Sequence, residues 1–168
     1  MLNRVFTAIT AVSLTACAFS PVDVPPVEKH APKVVLSQLQ GVTVEQGMDA
    51  ARSALQSSGY EVGAYTPELG EVKTKPRQLQ VPEWCDCGTW NGSVVQGTAD
   101  SIMTVVVKPD GDSRVSVAAQ HSCANIFFGR NLYGVVTVQQ PVQCASRGTV
   151  EREFVQKLEA IAKVRAVK

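Results

Sequence analysis

Two segments with helical spacing of apolar residues, one near each end of the chain, enclose a long stretch in which apolar and polar residues alternate as in strands. The helical segments cover about residues 43–58 and 149–165. Helices and strands do not alternate along the chain, and such alternation would be needed for a parallel sheet. The pattern therefore predicts an α+β fold, an antiparallel sheet with both helices packed on one face.

The boundaries of both helices carry recognisable signals. Thr43 and Gln46 have the spacing of a capping box at the start of the first helix, and Gly59 is typical of its C-terminal cap. In the second helix, Glu151 lies near the start and Lys163 near the end, an order that suits the helix dipole.

The intervening strands are predicted from alternation, with turn residues between them. They cover residues 60–66, 71–74, 101–108, 114–120 and 135–139. Residues 109–112 would close a hairpin, and Pro141 would stop the last strand or place it at a sheet edge. Residues 75–92 and 126–134 are predicted to be long loops.

The N-terminus is typical of a secretory signal peptide. Arg4 precedes a mostly apolar run from Val5 to Leu14, which is too short for a membrane span of about 20 residues. Residues 1–16 are therefore predicted to be removed. The Pro-rich residues 17–34 then form a tether, and residues 35–168 form one domain.

The segment Leu14-Thr15-Ala16-Cys17 resembles the lipobox of bacterial lipoproteins. The resemblance implies cleavage before Cys17, acylation of that cysteine with fatty acids such as palmitate, and attachment to a membrane through this lipid. Ala18 stands where an Asp tends to retain such proteins in the inner membrane, so the outer membrane is expected, with the domain on the periplasmic side. The alternative is a plain signal peptide cleaved near Ala16 or Ala18.

The four remaining cysteines are an even set in a chain predicted to be exported, which indicates two disulfides. Cys85 and Cys87 alternate along an extended segment, so their side chains diverge and they should not bond to each other. Each is expected to pair with Cys123 or Cys144, and both pairings stay open. The alternative is a zinc site formed by these cysteines and His121, which an oxidising compartment disfavours.

Two parts of the chain also resemble the helix-grip domains of small outer-membrane lipoproteins such as the C subunit of the β-barrel assembly machinery. The first runs from Thr43 through Gly59-Tyr60 to Gly70-Glu-Val-Lys-Thr74, and the second is Ser146-Arg-Gly-Thr-Val-Glu-Arg-Glu-Phe154. The resemblance implies a helix-grip-like fold. The cysteines, the long 75–92 connection and the single domain depart from that pattern.

Composition and motifs argue against several functions. The chain has 16 basic and 15 acidic residues, so no strong positive field favours nucleic acid. No phosphate-binding loop and no Gly-x-Ser-x-Gly turn is present, and Ser122 lies beside His121 in sequence, so the two would point to opposite faces of a strand. His121 is expected to be a polar residue at a strand end. A non-enzymatic protein without a cofactor is predicted.

Five aromatic residues remain as a candidate partner surface on the two predicted loops: Trp84, Trp90, Phe127, Phe128 and Tyr133. The favoured interpretation is that they pack over the disulfides as a small second core. These observations leave two predicted functions. In the first, the domain would dock on another envelope protein or complex; in the second, it would carry a small molecule or lipid in a groove between sheet and helices.

Overall fold

The computed structural model describes residues 33–81, 83–130 and 132–166. The predicted signal peptide, Cys17 and the tether up to residue 32 lie outside the described residues. Within the part that is described, no helix combines the length and the apolar character needed to cross a bilayer.

The described residues form the expected α+β fold, with a large antiparallel sheet and two helices. In chain order the elements are β1 (Val34–Gln40), α1 (Val44–Ser57), β2 (Val62–Thr66), β3 (Glu71–Thr74), β4 (Arg77–Val81), β5 (Cys85–Asp86), β6 (Thr89–Trp90), β7 (Ser93–Val94), β8 (Gly97–Pro109), β9 (Arg114–Arg130), β10 (Val136–Ser146) and α2 (Thr149–Ala166). A single 3-10 turn, Pro67–Leu69, joins β2 to β3.

The start of α1 confirms the predicted capping box. The Thr43 hydroxyl accepts a hydrogen bond from the Gln46 amide at 3.2 Å, and the Gln46 side chain accepts one from the Thr43 amide at 2.9 Å. Two amides that the first turn would leave unpaired are thus satisfied. Gly59 follows the helix with a positive φ of 77°, as expected for a C-terminal cap.

The sheet is arranged around β9, which is its longest strand. The strand order is β2-β3-β8-β9-β10-β5, while β4 pairs with the start of β8. On the side of β9 away from β8, β1 pairs with residues 114–120 and β10 with residues 123–130. Two different strands therefore lie end to end along one side of β9.

Both helices pack on one face of the sheet, as predicted. The odd-numbered residues of β9 from Val115 to Cys123 are buried, and the even-numbered residues point to the opposite face, called the open face below. The largest buried apolar side chains of this main core come from both helices and from β8: Phe154, Met48, Leu55, Met103 and Leu158.

The predicted loop 75–92 is wrong, because it contains β4, β5 and β6. In β4, Leu79 and Val81 are buried while Gln80 between them is exposed, and the strand pairs with residues 97–101 of β8. The Pro and Gly residues around this short alternating run favoured the prediction of a loop. The strand forms because it pairs with β8, which is distant in sequence.

The predicted strand lengths and the loop at 126–134 also need correction. Strand β9 continues to Arg130, so Phe127 and Phe128 lie on a strand. Strand β10 passes through Pro141 and ends at Ser146, and the proline is tolerated because β10 is at the sheet edge there. Strand β1 was not predicted and begins at Val34, the last residue of the proposed tether.

Gly70 occupies a position that no other residue fits. Its φ is 64°, and a Cβ atom there would lie 2.1 Å from the Val107 carbonyl oxygen. Its own carbonyl accepts a hydrogen bond from the Val107 amide at 2.7 Å, which fixes the β2–β3 turn against β8. The backbone of β8 is thus in direct contact with this turn.

We predict that Gly70→Ala lowers the free energy of unfolding by at least about 3 kcal/mol, because the clash adds to the unfavourable φ. The control is Gly111→Ala, since Gly111 also has a positive φ but its Cβ would meet nothing closer than 3.7 Å. That variant should cost only about 1 kcal/mol. Urea denaturation measures both, and equal losses would contradict this explanation.

Candidate functional site

A second core lies on the helix side of the sheet, next to the main core. Its buried residues are Val81, Cys85, Cys87, Val95, Ala99, Cys123, Val142 and Cys144. They come from β4, β5, β8, β9, β10 and the segments around β6 and β7. This second core supports the part of β9 and β10 that extends away from the helices.

Two disulfides form the centre of the second core. Cys85 bonds to Cys123 and Cys87 bonds to Cys144, so each member of the close pair bridges to a separate strand, as predicted. The segment 83–96 has little regular structure of its own, because β5, β6 and β7 contain two residues each. The bridges attach this segment to β9 and β10.

The five candidate aromatic residues divide into two groups. Trp84, Trp90 and Phe127 are half-buried and pack against the second core, with the rings of Trp90 and Phe127 5.3 Å apart between their centroids. Phe128 and Tyr133 are exposed, Tyr133 to 90%. The favoured interpretation, a small core over the disulfides, thus describes the first group only.

His121 is fully buried in the middle of β9, so its prediction as a polar strand-end residue is wrong. Burial lowers its pKa from 6.5 to about 4. Its Nδ1 atom lies 3.6 Å from the Cys123 sulfur, and its Nε2 atom has no hydrogen-bond partner within the described ranges. The neutral imidazole therefore acts as a packed core group at the junction of the two cores.

Glu151 in the first turn of α2 is buried at the same junction. Burial raises the pKa of its carboxyl group, against a smaller lowering by the Ser146 hydroxyl and by the backbone amides of Glu151 and His121. Neither carboxyl oxygen has a hydrogen bond of ordinary geometry among the described residues. A histidine and a carboxyl group are thus both held in a site that disfavours their charged forms.

The side chains of Ser146, His121 and Glu151 are all buried, so no substrate can reach them in this conformation. Ser122 points to the open face, where its hydroxyl donates to the Ile102 carbonyl at 3.3 Å, away from His121 as predicted. Cys85, His121 and Cys123 bring possible metal-ligand atoms within 4.8 Å of one another. The two sulfur atoms are bonded to each other, so in this state neither is a thiolate ligand.

Residues 125–142 form a hairpin that extends beyond the part of β9 that pairs with β8. We call this hairpin the arm. Strand β8 contacts β9 only up to Ala124, and beyond that point β9 pairs with β10 alone. Most of the exposed large apolar residues of the described chain lie here: Ile126, Phe128, Leu132, Tyr133, Val135 and Val136. The sequence pattern identified Phe128 and Tyr133 as candidates but did not predict the extension of β9 that carries Phe128.

The outer edge of β10 is a second feature of the arm. Within the described ranges, the only strand that pairs with β10 on that side is β5, at Ala145 and Ser146, so no strand lies beside Val136–Gln139 or Pro141–Cys144 there. The whole strand contains no charged residue. Edge strands normally carry charges or prolines that discourage pairing with other chains, and here Pro141 is the one such residue.

The space between the helices and the sheet is filled by side chains. A groove of about 510 Å³ remains between β1 and α2, lined by Leu39 and Ala162 but also by Gln38, Glu159 and Lys163. A shallower groove of about 300 Å³ lies on the open face, where Ile126, Phe128 and Pro141 adjoin Asp100 and Gln78. Neither is an enclosed apolar pocket.

Comparison with known proteins does not assign this chain to a family. Neither the models of protein families nor the sequences of curated proteins match this chain.

The buried His121 makes stability depend on pH. In the unfolded chain His121 takes up a proton below pH 6.5, while in the folded protein it stays neutral down to about pH 4. Its contribution to stability is therefore lost as the pH falls through this window, by up to about 3 kcal/mol. We predict that His121→Gln loses less stability than the wild type between pH 6.5 and 4, as measured by urea denaturation.

Glu151→Gln is the matched variant. The pH dependence of stability that Glu151 causes has the opposite sign to that of His121. The pKa of this carboxyl is raised above 4.5, so the wild type loses stability as the pH rises above that value. The free energy of unfolding of Glu151→Gln relative to the wild type should increase with pH. Parallel pH profiles for the wild type and both variants would show that neither group is buried as described.

Proposed function

We propose that this protein is an outer-membrane lipoprotein, acylated on Cys17, whose periplasmic domain docks on another envelope protein or complex without catalysis. The leader with its Leu14-Thr15-Ala16-Cys17 motif supports export and acylation. The two disulfides are consistent with an oxidising compartment.

Burial of the polar cluster supports a role without catalysis. A general base must reach the proton that it abstracts, and the imidazole of His121 is fully buried beside a disulfide. The raised pKa of Glu151 and the lowered pKa of His121 follow from this burial. The shifted values are thus explained by packing at the junction of the two cores.

The observation that carries the docking proposal is the uncharged outer edge of β10, beside which no described strand lies at Gln139 and Gln143. An extended segment of a partner can add to such an edge as a further strand, with its backbone hydrogen bonds providing affinity. Pro141 has no N–H, so in a strand already paired with β9 its backbone faces outward. Gln139 and Gln143, two residues away on either side, then also direct their N–H and C=O groups outward.

The partner is an extended segment of a different protein. Pro141 has no N–H to donate to a neighbouring strand. In a symmetric pair of β10 strands this donor would be missing in both copies, whereas in a pair of β10 with a different strand it is missing once. The carrier alternative has less support, because the groove between β1 and α2 is open and bordered by Glu159 and Lys163.

The proposal is tested by photocrosslinking in the producing cells. Replacing Gln139 with benzoylphenylalanine should give one discrete adduct with an envelope protein, identified by mass spectrometry. In this background, Gln143→Pro removes an outward N–H and should lower the adduct yield about fivefold, the equivalent of about one hydrogen bond. Gln143→Ala keeps that N–H and should leave the yield near its original value.

Three outcomes would overturn the docking proposal. An adduct with the mass of two copies of this chain would identify self-association. Equal yields for Gln143→Pro and Gln143→Ala would show that the edge is not used, and the absence of any adduct would leave no partner at this edge.

A further inference from the structure

The tip of the arm exposes consecutive apolar residues to solvent. Leu132 is fully exposed and Tyr133 is 90% exposed, while Val135 and Val136 are exposed to 58% and 43%. The guanidinium of Arg130 donates to the Gly134 carbonyl at 2.8 Å, which closes the tip. Side chains of this type at the end of a projecting hairpin are unfavourable in water and are typical of a contact surface.

The charged residues that flank the tip along the chain are all basic. No acidic residue occurs between Asp112 and Glu151, and within this stretch Arg130 is the charged residue nearest to the tip. An apolar tip with an aromatic ring and an arginine has the composition of segments that lie at the interface of a bilayer. It would meet anionic lipid headgroups without repulsion.

The N-terminal end of β1 points towards the arm. Val34 pairs with Gln120, and β1 runs antiparallel to β9, so the chain approaches Val34 from the side towards which β9 continues into the arm. From Gln120 to Arg130 the strand covers ten residues, about 33 Å at about 3.3 Å per residue.

The chain between Cys17 and Val34 is long enough to bring the tip to the membrane. A Pro-rich segment of this length, extended at about 3.1 Å per residue, would reach about 50 Å, more than the length of the arm. A lipid attached to Cys17 would therefore hold the domain within a distance at which the tip reaches the same bilayer. A protein pocket could also accept an apolar tip, but nothing in the fold would direct the tip towards one.

We propose that the tip of the arm, residues Leu132–Val136, inserts into the lipid surface to which the chain is anchored. This inference rests on the proposed acyl anchor at Cys17. It adds a second attachment point, which would orient the arm and present the edge of β10 next to the membrane. The tip and the outward groups of Gln139 and Gln143 are separate parts of the arm, so both contacts can occur together.

The test uses the acylated full-length protein in liposomes of phosphatidylethanolamine and phosphatidylglycerol. Tyr133→Trp adds a fluorophore at the tip, and Leu69→Trp is the matched control, because Leu69 is also exposed, to 68%, but lies in the β2–β3 turn. Lipids brominated along their acyl chains should quench the added fluorescence of Tyr133→Trp by at least about twofold. The signal of Leu69→Trp should stay unchanged.

A further variant, with two substitutions added to Tyr133→Trp, tests whether the apolar side chains drive insertion. Adding Leu132→Ser and Val135→Ser to Tyr133→Trp should remove most of the quenching, while the fold is checked by circular dichroism. Photocrosslinks from position 133 in cells should be to lipid, and a protein adduct there would overturn the assignment. Equal quenching for the two tryptophan positions would overturn it as well.

Flotation of the liposomes separates the failure of this inference from that of the proposed anchor. Protein that floats but shows no quenching of the tip retains its anchor and contradicts insertion alone. Protein that stays at the bottom of the gradient lacks the anchor, which contradicts both.

Discussion

The length of β9 determines how the other elements of the fold must support the sheet. Its 17 residues span about 56 Å as a strand, whereas the 18 residues of α2 span about 27 Å as a helix. The two helices can therefore cover only part of the sheet. The remainder of β9 needs another source of support, because a two-stranded hairpin is at best marginally stable alone in water.

That support comes from the second core. The bridges from Cys85 to Cys123 and from Cys87 to Cys144 fasten segment 83–96 under β9 and β10, where Trp90 and Phe127 pack together. Beyond this core the arm continues with an open edge and an apolar tip. His121 and Glu151 lie where the two cores meet, and their burial makes that junction sensitive to pH.

Local signals in the sequence were sufficient for the helices and for excluding a bond between Cys85 and Cys87, but they left open which of Cys123 and Cys144 each one takes. The Thr43–Gln46 capping box acts within one turn, and the alternation of Cys85 and Cys87 excludes a bond between them by geometry alone. The burial of His121 and the extension of β9 beyond Gln120 depend on distant partners, so periodicity missed them. A usable signal existed at Asn91-Gly92, a dipeptide typical of tight hairpin turns, where both residues have positive φ and join β6 to β7.

The disulfides, rather than the helices, hold the arm in place. Amide hydrogen exchange of the oxidised and reduced protein, followed by mass spectrometry, measures this directly. On reduction, protection of residues 125–142 should fall by about a hundredfold, equivalent to about 3 kcal/mol, while α1 and residues 101–107 of β8 keep theirs. Unchanged protection of the arm, or equal loss throughout the domain, would contradict the account.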